Sequence, residues 1–257
     1  MSKFQETLKN DIDGLITLPL LHTCDAYSLR SIIENKRLIP QKCDVFENSD
    51  LLYTYYGVPS YRLNLEGSTL NPAYHMICII LETSYFKNIH KVFPFDTGSF
   101  VKFKEIKETY FHHKTNVLDF ELENNIDSAK KVIKTFYNSN KNYLSKNPQD
   151  SIGQFSQFDF EAIGYSELIS ERNHNKFDDR ESSIEIIFDK ELNLNSSSVK
   201  QIIIPNRFAD DKKIMSLINQ NFNIETPIVY DTVRGNPNEY IGLIRSKYLE
   251  FINKDEL

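Results

Sequence analysis

The stretch LLHTCDAYSLRSIIENKRLIP, residues 20–40, decides the fold class. Its first residues close the apolar run ITLPLLH (16–22), which reads as a buried strand with Pro19 near one edge. DAYSLRSIIENK (25–36) then reads as a short helix. Asp25 is placed to cap its first turn, and Leu29, Ile32 and Ile33 supply an i, i+3, i+4 apolar stripe. Working outward, LLYTYY (51–56) reads as a strand broken by Gly57 and Pro59, and YHMICIILE (74–82) is a near-continuous apolar run typical of a strand buried on both faces. The last third returns to strands: SSIEIIF (182–188), VKQIIIP (199–205) and TPIVYDT (226–232) are short and β-branched, with a helix near 208–219 between the last two. A closing helix is signalled by Asn236 as cap, Pro237 at its first position and Glu239 in a capping-box-like arrangement, with Ile241, Ile244, Tyr248 and Phe251 as its buried stripe. Strands and helices mix without regular βαβ alternation, so the expected class is α+β.

The segment from about 94 to 180 reads as an insertion into one domain spanning residues 1–257. VFPFDTGSF (92–100) is a Pro- and Gly-punctuated loop with three phenylalanines. A helix is expected over 125–138, with Ile126, Ala129, Val132, Ile133, Phe136 and Tyr137 on one face, then a turn at 145–153 and a short helix at 160–170.

Composition narrows the function classes. A chain of 257 residues with 40% hydrophobic and 26% charged residues buries a substantial core. A net charge of −6 disfavours non-specific nucleic-acid binding, which needs clustered Lys and Arg; only a local groove from Lys102, Lys104, Lys107 and Lys114 would serve. Cys24, Cys43 and Cys78 are odd in number and lack CxxC spacing, so they read as reduced thiols of a cytoplasmic protein. The first twenty residues carry Asp and Glu and no long apolar core, so no signal peptide or membrane segment is expected, and the terminal KDEL reads as coincidence. Asn, Lys and Ile are abundant, which suits an AT-rich bacterial genome.

Three separated segments carry residues suited to chemistry. His22 ends an apolar strand, where it is either a core histidine satisfied by backbone or a hydrogen-bonding partner for a ribose hydroxyl. In LLYTYYGVPSYR, Gly57 permits a turn closed to other residues and Pro59 stiffens it, so Tyr61 or Tyr56 either packs on the core or presents a ring for stacking. Arg62 reaches a pyrophosphate or pairs with a surface acid. Glu185 alternates with Ile184 and Ile186, so it is either a solvent-facing strand residue or a carboxylate on a cavity wall, where burial costs several kcal/mol unless something uses it. Asp178, Asp179, Arg180 and Glu181 read as a solvated, self-paired loop. His112 and His113, read on a strand, would point to opposite faces and so not share a metal. Cys24 would share a face with His22, but no Asn or Asp orients a Cys/His nucleophile. No HExxH, Walker loop, GxGxxG or GxSxG is present.

In order and approximate spacing, LLHTCDAYSLRSIIENKRLIP, YGVPSY and SSIEI resemble the histidine–tyrosine–glutamate class of ADP-ribosyltransferases, the diphtheria toxin and poly(ADP-ribose) polymerase type. The resemblance covers about a quarter of the chain and implies a split mixed β-sheet core with flanking helices. It implies NAD as co-substrate, with no metal. His22 would hydrogen-bond the adenosine-side ribose, the Thr23 backbone would lie near the nicotinamide amide, and Tyr61, or Tyr56, would stack on nicotinamide. Glu185 would hold the 2′-hydroxyl of the nicotinamide ribose and stabilise an oxocarbenium-like transition state. The chain departs from the pattern at Thr23, where many members have Gly, and at Ser183, where an arginine-modifying enzyme would carry Glu or Gln. The implied protein is a bacterial toxin or anti-phage effector acting on a protein, nucleic acid or water, with an antitoxin or regulator as partner and no membrane. Two rivals come from other classes: an inactive module that binds a nucleotide or partner, and an enzyme acting on nucleic acid.

Overall fold

Pro19 has no N–H to give to a ladder, and the first strand starts just after it. The strand runs Leu20–Asp25, later than the expected 16–22, because its pairing partner extends far enough to hold Asp25 opposite Met76. The computed structural model describes residues 2–47, 49–61, 71–102, 110–170, 179–232 and 237–253. Arg62, Lys104, Lys107, Asp178, Asn236 and the terminal KDEL lie outside them.

In chain order the described strands are β1 (Leu20–Asp25), β2 (Arg37–Leu38), β3 (Gln41–Lys42), β4 (Asp50–Tyr56), β5 (Met76–Leu81), β6 (Lys91–Phe93), β7 (Glu185–Phe188), β8 (Leu192–Asn193), β9 (Val199–Pro205) and β10 (Ile228–Tyr230). The described helices are α1 (Lys3–Glu6), α2 (Ala26–Asn35), α3 (Thr97–Lys102), α4 (Ile126–Phe136), α5 (Asn140–Leu144), α6 (Phe160–Ser170), α7 (Asn206–Ala209), α8 (Lys212–Phe222) and α9 (Tyr240–Ile252). The fold is α+β, with parallel and antiparallel strand pairs. No described helix is long and apolar enough to cross a membrane. The chain divides into two compact units, residues 1–18, 42–51 and 88–189 in one and 19–41, 52–87 and 190–257 in the other. The segment 94–180 falls within the former.

The second unit is built on strands in the order β10, β9, β5, β1 and the later part of β4. β9 and β10 are parallel, and the other pairs are antiparallel. All six residues of β5 are buried, as an uninterrupted apolar run requires. Asp25 caps α2 by accepting the Ser28 N–H, and Leu29, Ile32 and Ile33 face inward. The expected helix at 208–219 is two helices, because Asp211 accepts the N–H groups of Lys213 and Ile214 and starts α8 afresh. The final helix starts at Tyr240, after a 3₁₀ turn at Pro237–Glu239. Its buried stripe is Tyr240, Ile244, Tyr248 and Ile252; the four-residue spacing leaves Ile241 and Phe251 half-buried, contrary to expectation.

The first unit has an aromatic core. Phe4 stacks on Phe136 at 5.7 Å and meets Tyr165 edge-on at 5.4 Å, while Phe120 packs against Phe4, Phe95, Phe100 and Phe111. Such a cluster combines large buried area with favourable ring geometry. VFPFDTGSF is not a loop throughout. It forms the end of β6 and the start of α3, because Asp96 accepts the Ser99 N–H and the phenylalanines turn into the core. α4 matches its expected span closely, with Asn125 capping. β6 and β7 pair antiparallel, Phe93 opposite Glu185.

Candidate functional site

His22 lies on β1 in the second unit, half-buried, with Nδ1 3.0 Å from the Tyr53 carbonyl. A carbonyl only accepts, so Nδ1 carries the proton and Nε2 is left with a lone pair. Burial lowers the pKa more than the Tyr53 bond raises it, so the ring is neutral at physiological pH. His22 therefore presents Nε2 as a hydrogen-bond acceptor.

The His-Thr step and the aromatic-glycine turn are joined directly. Leu20 and Leu21 of β1 face Tyr56 and Tyr55 of β4, and the Gly57 N–H donates to the Pro19 carbonyl at 3.0 Å. Gly57 has φ +70°, the left-handed region its sequence position anticipated. The Thr23 hydroxyl donates to the Ser60 carbonyl in a short bond. Tyr56 is fully buried and serves as core, while Tyr61 is half-buried. Burial pushes the Tyr61 phenol up, and the nearby charge of Asp25 pushes the same way, so it stays a neutral hydroxyl with an aromatic face. Ser60 itself is buried, and its Oγ has no hydrogen-bond partner among the described residues. A buried hydroxyl left unpaired costs about 1–3 kcal/mol, which a ligand atom would relieve. Nothing in the sequence singles out Ser60, since serine is ordinary in a turn.

Glu185 opens β7 in the first unit and is 1% exposed. Ile184 and Ile186 are buried too, so both faces of this strand are covered and Glu185 is not a solvent-facing residue. Its Oε2 accepts the Thr97 hydroxyl at 2.8 Å and the Thr97 N–H at 3.3 Å. Burial, and then the Asp96 charge, push its pKa well above the usual carboxylate range, outweighing the Thr97 bonds. Its surroundings thus favour the protonated carboxyl. Asp96 and Thr97 were missed in sequence. The signal was Asp96 three residues before Ser99, a helix-start pattern inside a stretch read as loop.

His22, Thr23, Tyr56 and Tyr61 belong to the second unit and Glu185 to the first. The expectation of a solvated loop at 178–181 needs correction at Arg180. Arg180 is 7% exposed, because its 3₁₀ turn is tied in through its carbonyl, which accepts the Asp96 N–H. His112 and His113 lie in a turn rather than a strand, with rings 4.1 Å apart. Burial pushes the Cys24 thiol far up, which removes it as a nucleophile. Among the described residues no three His, Cys, Asp or Glu gather to hold a metal. No protein family, curated protein or solved structure matches this chain.

Proposed function

We propose that this protein cleaves the bond between nicotinamide and ribose in NAD, transferring ADP-ribose to an acceptor or to water. The observation that carries the reading is the union of the first two motifs. One strand and one rigid turn hold a neutral histidine acceptor, a half-buried tyrosine and an unsatisfied buried hydroxyl in one unit. Those groups fit a nicotinamide riboside: His22 accepts from a ribose hydroxyl, Tyr61 stacks on the planar ring, and Ser60 bonds the carboxamide. Glu185, once ionised, is the carboxylate that the resemblance assigns to stabilising a cationic ribose. Nicotinamide leaves readily, so positioning and charge are what the protein contributes. An activity that consumes NAD or modifies cell components suits a toxin or anti-phage effector held in check by a partner.

The test is nicotinamide release from NAD by the full-length protein. The parent releases it, and Glu185→Gln lowers the rate by about a hundredfold or more. Equal turnover by the two would refute the role of Glu185. One observation favours a second reading: Glu185 is 1% exposed, and burial favours its protonated form, as suits a module that binds a nucleotide without cleaving it. NAD binding by calorimetry without nicotinamide release at any pH would establish that alternative.

A further inference from the structure

A cavity of about 380 Å³ opens within the second unit, where the end of β5, the start of β9 and the ends of α8 and α9 supply its lining. Leu81 of β5 pairs with Val199 and Ile80 pairs with Gln201, so the register skips Lys200. An extra residue of this kind is re-aimed by the bulge it makes, and Lys200 lines the cavity. Its Nζ lies 3.4 Å from Oε2 of Glu82, the residue that follows β5. Glu82 is held from its other oxygen: Oε1 accepts the Ser84 N–H at 3.1 Å and the Ser84 hydroxyl at 2.8 Å. Its backbone N–H donates to the Ser198 carbonyl at 2.9 Å. Burial raises the Glu82 pKa, but the Ser84 bonds and the Lys200 charge outweigh it, so the group is a carboxylate at neutral pH. Beside this pair the lining is apolar: Val199, Phe222 and Ile224 are buried, and Phe251 is half-buried.

We propose that this cavity binds a free α-amino acid with an apolar side chain. The ligand ammonium donates to Glu82 Oε2, its carboxylate accepts from the Lys200 ammonium, and its side chain covers Val199, Phe222, Ile224 and Phe251. The fit lies in the arrangement of charge. Two opposite charges 3.4 Å apart beside an apolar lining match a molecule whose ammonium and carboxylate share one carbon with an apolar group. Both partners of the ion pair are partly exposed, so the pair is weak and opens at little cost to admit the two ligand charges. The volume suits a small molecule. The amino terminus of a peptide fits less well, because its first residue has no carboxylate to give Lys200. None of His22, Thr23, Ser60, Tyr61 and Glu185 lines the cavity, so the proposal stands apart from the reading of NAD cleavage.

The full-length protein is titrated with L-leucine and L-phenylalanine, and binding is followed by NMR chemical shifts. Saturable binding is expected for both. Leucinamide lacks the carboxylate and N-acetyl-L-leucine lacks the ammonium, and each binds about tenfold or more weakly, the loss of one contact between charged groups. Glycine, which has no side chain to cover the apolar lining, is weaker by about tenfold or more as well. Lys200→Met and Glu82→Gln, both at partly exposed positions, lower the affinity for L-leucine by about tenfold. The ligand series reads the same contacts without altering the protein, so a variant that fails to fold does not shield the proposal. No binding of either amino acid at millimolar concentration overturns it. So does leucinamide or N-acetyl-L-leucine binding as tightly as L-leucine, and so does a leucyl peptide binding more tightly than the free amino acid.

Discussion

Ser60, Tyr61 and Glu185 act through atoms that can be altered singly. Ser60→Ala removes a buried hydroxyl that has no partner among the described residues, so thermal denaturation is expected to show unchanged or slightly raised stability. Calorimetry of the same variant is expected to show NAD binding weakened by about fivefold to tenfold, and unchanged affinity would remove Ser60 from the site. Tyr61→Ala loses an aromatic face and is expected to weaken binding by about 1 kcal/mol or more, read in the same titration. Glu185 makes a stability prediction as well. Its folded pKa is raised, so the native state binds the proton more tightly than the unfolded chain. The stability it contributes is full below the unfolded value of about 4.3 and is lost as pH rises through the folded value. Glu185→Gln is therefore expected to be more stable than the parent in denaturant melts at about pH 8, the difference vanishing toward about pH 4. A parent more stable than the variant at the higher pH would contradict a raised folded value.

At the scale of elements, local signals were legible where caps and periodicity agreed. α2 and α4 follow their expected spans because Asp25 and Asn125 stop the helix on one side and the apolar spacing sets its inward face. α6 was read over its full span of 160–170. The errors have physical causes. β1 was shifted because apolarity alone does not tell where pairing begins, and Pro19 and the reach of β5 decide that. α3 was hidden by Pro94 and Gly98, which read as loop although Asp96 caps a helix between them. Half of the candidate site was legible as a turn and a histidine at a strand, because Gly57 and His22 carry local constraints. Thr97 was not, since its meeting with Glu185 joins residues 88 apart in sequence. Within α6, Gly164 permits a close approach. A Cβ there would sit 2.4 Å from the Tyr110 carbonyl oxygen and 2.7 Å from the Phe111 ring. Gly164→Ala is expected to cost about 1–3 kcal/mol in a chemical denaturation curve, and a neutral result would mean that the helix shifts freely.

At the scale of the whole molecule, each unit is assembled from three separate stretches of chain. The first unit takes Phe4 from the very start of the sequence into an aromatic cluster with Phe120, Phe136 and Tyr165. Phe4→Ala is expected to destabilise the protein by about 3–5 kcal/mol, detected as a lowered melting temperature, because the rings of Phe120, Phe136 and Tyr165 cannot close the void. A change below about 1 kcal/mol would show that the amino-terminal segment is dispensable to this core.

The border of the second unit's sheet has a further consequence. β10 pairs with β9 over only three residues, ending at Tyr230, whose hydroxyl is already bound to the Met76 carbonyl at 2.8 Å. So brief a selvedge presents few backbone groups for a foreign strand to zip against, which guards a sheet rich in isoleucine from fibrillar self-association at high concentration.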